Sequence, residues 1–149
     1  MKPILEFKGK HGFLSNFFGS PLFFEGVEYP TVEHAYQAQK AEDPAERLLI
    51  RQAESPGRAK RMGRKVANVR SDWEAVKEDL MRDLLMAKFT QHPDLGEKLV
   101  ATHPAEIIEG NRWHDNEWGQ CLCEQCIDLE GRNLLGCLLI EVRKELRAK

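Results

Sequence analysis

Ser71-Asp72-Trp73-Glu74-Ala75-Val76-Lys77-Glu78-Asp79-Leu80-Met81-Arg82-Asp83-Leu84-Leu85-Met86-Ala87-Lys88-Phe89 is the stretch on which the fold turns. Trp73, Val76, Leu80, Leu84 and Ala87 recur at helical spacing, and Met81, Leu85 and Phe89 widen them into a core-facing side. The pattern predicts the longest helix of the chain. Ser71 to Glu74 matches a capping box at its start, and His92-Pro93 ends it. Upstream, Thr31 is placed to cap a helix from Val32 to about Glu42. Asp43-Pro44 and Ser55-Pro56 each set a capping residue before a proline, and Ala45 to Glu54 reads as a further helix. Downstream, Leu95 to Ala101 reads as a short helix and Ala105 to Glu109 as a strand. A final helix is expected from Asn133 to about Arg147, with Leu135, Leu138, Leu139, Val142 and Leu146 inward and Cys137 towards the core. The first thirty residues are extended: Ile4 to Phe7 as a strand, and Leu22 to Tyr29 as a hairpin turning at Gly26. These elements predict an α+β fold, mainly helical, with a small N-terminal antiparallel sheet. No repeat, low-complexity tract or linker divides residues 1–149, so a single domain is expected.

The chain has 149 residues and a mass of 17.1 kDa. A chain of this length buries roughly 68–70% of its unfolded surface, enough for a core without disulfides. Its 22 basic and 24 acidic side chains leave a formal charge of -2, which excludes a strongly basic, phosphate-tracking binder. Hydrophobic residues at 42% and charged residues at 31% fit a globular domain rather than a disordered one. No apolar run approaches the ~18 residues of a membrane helix, so no membrane partner is expected. Met1-Lys2-Pro3-Ile4-Leu5-Glu6-Phe7 lacks a signal-peptide core. A cytoplasmic, reducing setting is expected, in which the four cysteines serve as thiols or metal ligands.

Five segments carry residue types suited to chemistry. In Pro30-Thr31-Val32-Glu33-His34-Ala35-Tyr36-Gln37-Ala38-Gln39-Lys40, helical spacing puts Glu33, Gln37 and Lys40 on one face. Glu33 lies in the first turn, where the helix dipole favours a carboxylate. Spacing alone also fits a solvated stripe opposite Val32, Ala35 and Tyr36, and His34 reads as a surface or core histidine. Trp113-His114-Asp115-Asn116-Glu117-Trp118-Gly119 sits inside a loop of about twenty residues, 110–131, a length often tied to function. Aromatics beside carboxylates suit a flat heterocycle or a sugar, though both tryptophans also suit the edge of a core. Cys121-Leu122-Cys123-Glu124-Gln125-Cys126, with His114 upstream, supplies three thiolates and an imidazole, the ligand count of a structural zinc site. Inert thiols fit the same spacing, as does a Cys123–Cys126 redox pair. In Gly12-Phe13-Leu14-Ser15-Asn16-Phe17-Phe18, Asn16 offers a donor and an acceptor among aromatics, or closes a turn. Gly131-Arg132-Asn133-Leu134-Leu135-Gly136 opens a helix, where phosphate can bind, but matches no nucleotide fingerprint.

In their order and spacing these segments resemble the NADAR family, the YbiA-like N-glycosidases, from about Phe7 to Arg143. The resemblance rests on Phe13-Leu14-Ser15-Asn16-Phe17, Pro30-Thr31-Val32-Glu33-His34 with Gln37 and Lys40, and Trp73 opening a helix that ends at Lys88-Phe89. It continues through Ile108-Glu109, Asp115 to Trp118-Gly119, then Gly131, Asn133, Leu135-Gly136 and Arg143. It implies hydrolysis of an N-glycosidic bond to ribose, without a cofactor in the chemistry. The implied substrate is a ribosylamino-pyrimidine phosphate intermediate of riboflavin synthesis, or ADP-ribose on guanine in DNA or RNA. Asn16, Glu33, Lys40, Trp73, Asp115 and Trp118 would then line the pocket, with Gln37 and Gly119 as further substrate contacts. The Cys121–Cys126 segment looks like a subgroup insertion at the pocket mouth.

Chemistry gives those residues roles. Cleaving C1–N builds positive charge at C1, which a carboxylate stabilises while orienting water, and the leaving nitrogen takes a proton. Glu33 and Asp115 are expected to divide these tasks, as paired carboxyls do in glycoside hydrolysis, where the Glu33 helix meets the Asp115–Trp118 loop. Lys40 is expected either to attack C1 and form an imine, or to hold a phosphate or pair with Glu33. Trp73 or Trp118 would stack on the base and Asn16 would read a polar edge. Lys60, Arg61, Arg64 and Lys65 form a basic cluster suited to nucleic acid, or a solvated helix face. A non-catalytic ADP-ribose or nucleotide sensor is the competing class.

Overall fold

Thr31 shows how local chemistry sets the frame. In the computed structural model, which describes residues 1–149, its extended backbone leads into a helix and its hydroxyl accepts from the His34 amide. Backbone contacts group the chain into two compact units, Asn16–His92 and the pair of segments Met1–Ser15 and Pro93–Lys149.

The Asn16–His92 unit begins with an antiparallel hairpin, β1 (Leu22–Phe24) and β2 (Val27–Tyr29), in which Leu22 faces Tyr29 and Phe24 faces Val27. Its two-residue turn holds Glu25 and Gly26 at φ 51° and 80°, the left-handed pair that matches strand twist. Helices α1 (Val32–Lys40), α2 (Pro44–Arg51), α3 (Pro56–Arg64) and α4 (Trp73–Gln91) follow. Asp43 and Ser55 cap α2 and α3 through their side chains, each ahead of a proline. Helix α1 packs against α2, α3 and α4, and every residue from Val32 to Gln39 is buried. The stripe of Glu33 and Gln37 is therefore interior, not a solvated face. His34 is a core histidine, held by the Thr31 hydroxyl at 2.8 Å and the Ala53 carbonyl at 3.0 Å.

Helix α4 turns Trp73, Met81, Leu84, Leu85, Lys88 and Phe89 inward, while Val76, Leu80 and Ala87 are half-buried. The expected capping box does not form. Asp72 occupies the cap position, and its carboxylate is taken by Arg70 in a two-point pair at 2.6 and 2.9 Å. At the far end, the Gln91 amide donates to the Phe23 carbonyl and accepts from the Phe23 amide, both at 2.8 Å, tying β1 to α4.

In the other unit a 3₁₀ turn, Gly9–Leu14, buries Phe13 and Leu14. Helix α5 (Pro93–Ala101) packs on α6 (Leu134–Arg147). The strands expected at Ile4–Phe7 and Ala105–Glu109 shrink to one parallel bridge between Ile4 and Ile107. Three residues on, β3 (Gly110–Asn111) pairs in parallel with β4 (Gln120–Cys121), so the long loop is pinned at its waist. Asn133 stands at the α6 cap position with φ 50°, yet its side chain does not cap its own helix. It accepts from the Glu109 amide and donates to the Ile107 carbonyl, both at 2.9 Å. Leu135, Leu138, Leu139 and Val142 face inward, as the spacing predicts. Cys137 is exposed, contrary to expectation, because it lies about 200° round the helix from Leu135. Arg143 is buried but satisfied, donating to the Thr102 hydroxyl and the Ala105 carbonyl. No helix of the chain is long and apolar enough to cross a membrane.

Candidate active site

The Asn16–His92 unit gathers Asn16, Glu33, Gln37 and Trp73 around α1 and the inner face of α4. Asn16 holds the start of α1 through its backbone, its carbonyl accepting from the Glu33 amide at 3.1 Å. The Asn16 side-chain amide lies 3.5 Å from the Met81 sulfur, while its Oδ1 is buried without a partner. A buried carbonyl oxygen left open is costly, and a ligand donor relieves that cost. Glu33 is only 7% exposed and accepts from the Gln37 amide at 2.7 Å. Gln37 in turn is wedged against α3. A Cβ at Gly63 would lie 1.9 Å from Gln37 Oε1, so the absence of that carbon sets the closeness of α1 and α3. Trp73 meets Tyr36 of α1 with ring centroids 5.0 Å apart, a tilted aromatic pair.

Lys40 stands apart from this group. It ends α1 half-buried, and its side chain makes no hydrogen bond or ion pair. A different lysine fills the interior position. Lys88 is 0% exposed, with its ammonium nitrogen 5.5 Å from the Phe18 ring centre and 5.0 Å from that of Phe89. Burial pushes its pKa down to about 7. The Asn16–Phe18 segment thus follows the inner face of α4, with Asn16 on Met81 and Phe18 on Lys88 two turns later. The sequence carries a signal for Lys88: it falls at an inward position, seven residues after Met81 and four after Leu84, in a stripe that is otherwise apolar.

Asp115, Trp118 and Gly119 belong to the other unit. One carboxylate oxygen of Asp115 accepts from the Glu117 and Trp118 amides, at 3.0 and 2.8 Å. The Asp115 carbonyl accepts from the Asn111 side chain at 2.8 Å. Trp118 is half-buried and Trp113 exposed. At Gly119 a Cβ would lie 2.1 Å from the Glu109 carbonyl, so close backbone approach demands glycine there. The carbonyls of Asn116, Glu117, Trp118 and Gly119 accept from the amides of Arg132, Leu134, Leu135 and Asn133. Those contacts use the first amides of α6, which are thereby closed to phosphate.

Asp115→Ala is expected to lower stability by about 1–2 kcal/mol, because two amides lose their acceptor. Asp115→Asn keeps an acceptor oxygen and is expected to match the parent in urea melts. Turnover by the asparagine variant then reads the carboxylate separately: its loss at unchanged stability assigns Asp115 to the chemistry, and its retention leaves Asp115 a turn residue.

The NADAR domain matches residues 6–147. N-glycosidase YbiA of Shigella flexneri serotype 5b (strain 8401) is 42% identical over 137 residues, spanning 91% of this chain and 82% of that protein. The riboflavin biosynthesis protein VVA0006 of Vibrio vulnificus (strain YJ016) is 36% identical over 138 residues, covering 92% of this chain and 36% of that longer protein. The NMR structure of the E. coli protein YbiA superposes with a TM-score of 0.84 at 40% identity, covering 99% of this chain and 88% of that one. Matched over nearly its whole length in sequence and in fold, the chain belongs to the NADAR family, as a hydrolase of N-glycosyl bonds.

Proposed function

We propose that the protein cleaves the bond between C1 of a ribosyl group and the nitrogen of an aminopyrimidine carrying a ribose phosphate. The observation that carries this reading is a buried carboxylate and a buried amine in one helical unit, Glu33 on α1 and Lys88 on α4. Cleavage at C1 needs negative charge near a developing cation and a base for the nucleophile. Glu33, oriented by Gln37, supplies the charge. Lys88, partly neutral near pH 7, takes the nucleophilic role that the sequence suggested for Lys40. Its amine forms a bond to C1 as the C1–N bond breaks and the leaving nitrogen takes a proton. Loss of the amine proton and opening of the sugar ring give an imine. Water then adds across the imine, releasing ribose phosphate and restoring the amine. Asn16 Oδ1 accepts from a substrate donor, and aromatic side chains such as Trp73 offer stacking area. No cofactor takes part in this scheme.

Two things support the small substrate: the near-neutral charge of the chain and the riboflavin role named for the Vibrio relative. One observation favours a second aglycone, guanine bearing ADP-ribose in nucleic acid. Arg61, Arg64 and Lys65 are exposed at the end of α3, the helix that touches Gln37, and Lys60 lies over Phe17 at 5.9 Å. Side-by-side turnover assays with a ribosylamino-pyrimidine phosphate and with ADP-ribosylated guanine DNA decide between them. The expected result is a kcat/KM at least about tenfold higher for the pyrimidine. The reverse order makes nucleic acid the substrate. Binding of ADP-ribose with turnover of neither makes the pocket a sensor and overturns the proposal.

A further inference from the structure

His114, Cys121, Cys123 and Cys126 bring four ligand atoms within 4.8 Å of one another. His114 Nδ1 lies 3.3 Å from the Cys126 sulfur, 3.4 Å from that of Cys123 and 3.8 Å from that of Cys121, and the Cys121 and Cys123 sulfurs are 3.3 Å apart. A tetrahedron with Zn–S near 2.3 Å and Zn–N near 2.0 Å has edges of about 3.5–3.8 Å. We propose that these four side chains bind one zinc ion, and that the ion clamps the Asp115–Gly119 loop.

Several features point the same way. His114 adopts φ 67°, a left-handed backbone that a non-glycine residue seldom takes, and it presents Nδ1 to the thiols. Cys121 and Cys126 are buried and Cys123 half-buried, so the ligands stand at the edge of the interior. The backbone around them is held in place. The Cys121 amide donates to the Asn116 side chain at 2.9 Å, the Leu122 amide to the Asn111 carbonyl at 2.6 Å, and the Cys126 amide to the Cys123 carbonyl at 3.1 Å. Such supporting bonds are what orient metal ligands. Soft thiolates with one imidazole in a tetrahedron select zinc over hard cations, and the sulfurs are too close together to enclose a multi-iron cluster. Binding replaces three S–H protons, which leave to solvent, so the occupied site carries a charge of about −1.

The position of the site gives it a job. One ligand directly precedes Asp115, and the next follows Gly119 by two residues. The loop between them already rests its carbonyls on the first amides of α6. The zinc closes the opposite side, so the Asp115–Trp118 turn is held from two directions. The ion is a structural clamp, and the thiolates are spent on it rather than on redox exchange.

Protein purified under reducing conditions without chelator is expected to hold close to one zinc per chain. Exchange for Co²⁺ is expected to give the strong visible absorption of a tetrahedral thiolate site. Cys123→Ser and Cys126→Ser are expected to lose the metal, while Cys137→Ser, altered on the exposed side of α6, keeps it. Removing the ion is expected to speed amide exchange at Glu117, Trp118 and Cys121 by about tenfold or more. The cobalt titration uses the parent chain and does not depend on any variant folding. Fewer than about one zinc per three chains with no cobalt spectrum overturns the proposal, as does a Cys121–Cys123 disulfide in the reduced preparation. Zinc bound with no change in amide exchange on its removal keeps the site but overturns its role as a clamp.

Discussion

Glu33→Gln is expected to lower kcat for N-glycoside hydrolysis by roughly 10²–10⁴-fold while leaving substrate affinity close to that of the parent. The side chain is buried at the first turn of α1 and accepts from the Gln37 amide. Glutamine has the same shape and keeps an oxygen for that bond, so the helix and its contact with α3 survive. What disappears is the negative charge. A charge that stabilises developing positive character at C1 contributes in the transition state far more than in the ground state, so the loss falls on kcat rather than KM. Glu33→Ala is the poorer probe, since it strands the Gln37 amide and costs about 1–3 kcal/mol of stability besides. Steady-state kinetics on the glutamine variant, with circular dichroism to show the fold intact, make the measurement. Unchanged turnover removes Glu33 from the chemistry. Retained ligand binding with abolished turnover separates an enzyme from a sensor.

The elements written in local code were legible in the sequence. Gly26 marked the hairpin because a two-residue turn needs φ above zero, and Thr31, Asp43 and Ser55 marked helix starts through their hydroxyl or carboxylate oxygens. Elements decided by a distant partner were not. The capping box expected from Ser71 and Glu74 did not form because the helix starts at Trp73 with Asp72 in the cap position, its carboxylate held by Arg70, and Asn133 served the Glu109–Ile107 backbone instead of its own helix. The four-atom ligand cluster follows from spacing only once β3 and β4 pair and bring His114 back beside the cysteines.

The site shows the same divide. Glu33 and Gln37 were found by their spacing, but a one-dimensional pattern cannot distinguish a buried polar face from a wet one. Burial of α1 on all sides comes from three helices that pack on it. Lys40 shares the Glu33 face by spacing and stands half-buried at the last position of the helix. Lys88 stands in the otherwise apolar inner stripe of α4. A lysine at an inward position is the stronger sign, because burying an ammonium has to be offset by something.

Lys88→Met is therefore expected to do two opposite things: abolish turnover and stabilise the fold. Methionine fills a similar volume without charge. In the folded chain burial holds the Lys88 pKa at about 7, against an ordinary 10.5. The unfolded chain binds this proton more tightly than the folded one, so stability rises with pH between those values. Below about pH 7 the folded state carries the cost that this shift represents, up to about 5 kcal/mol, and above about pH 10.5 it carries none. Urea melts are expected to show the methionine variant ahead of the parent at pH 6, with the gap narrowing as pH rises from 7 towards 10. Turnover behaves the other way. Only the neutral amine attacks C1, so the parent's kcat is expected to climb through about pH 7, and Lys88→Arg, which cannot lose its proton, is expected to be as inactive as Lys88→Met. Borohydride added during turnover traps an imine as a stable amine, and peptide mapping is expected to place it on Lys88 and to find it still in Lys40→Met. An adduct on Lys40, or an active Lys88→Met enzyme, returns the nucleophile to α1. Loss of activity with no adduct in the parent leaves Lys88 a proton donor or an electrostatic partner of the substrate. A stabilised but inactive variant is the signature that matters, since damage to the fold lowers both quantities together and only a group kept at a cost in stability for its chemistry moves them apart.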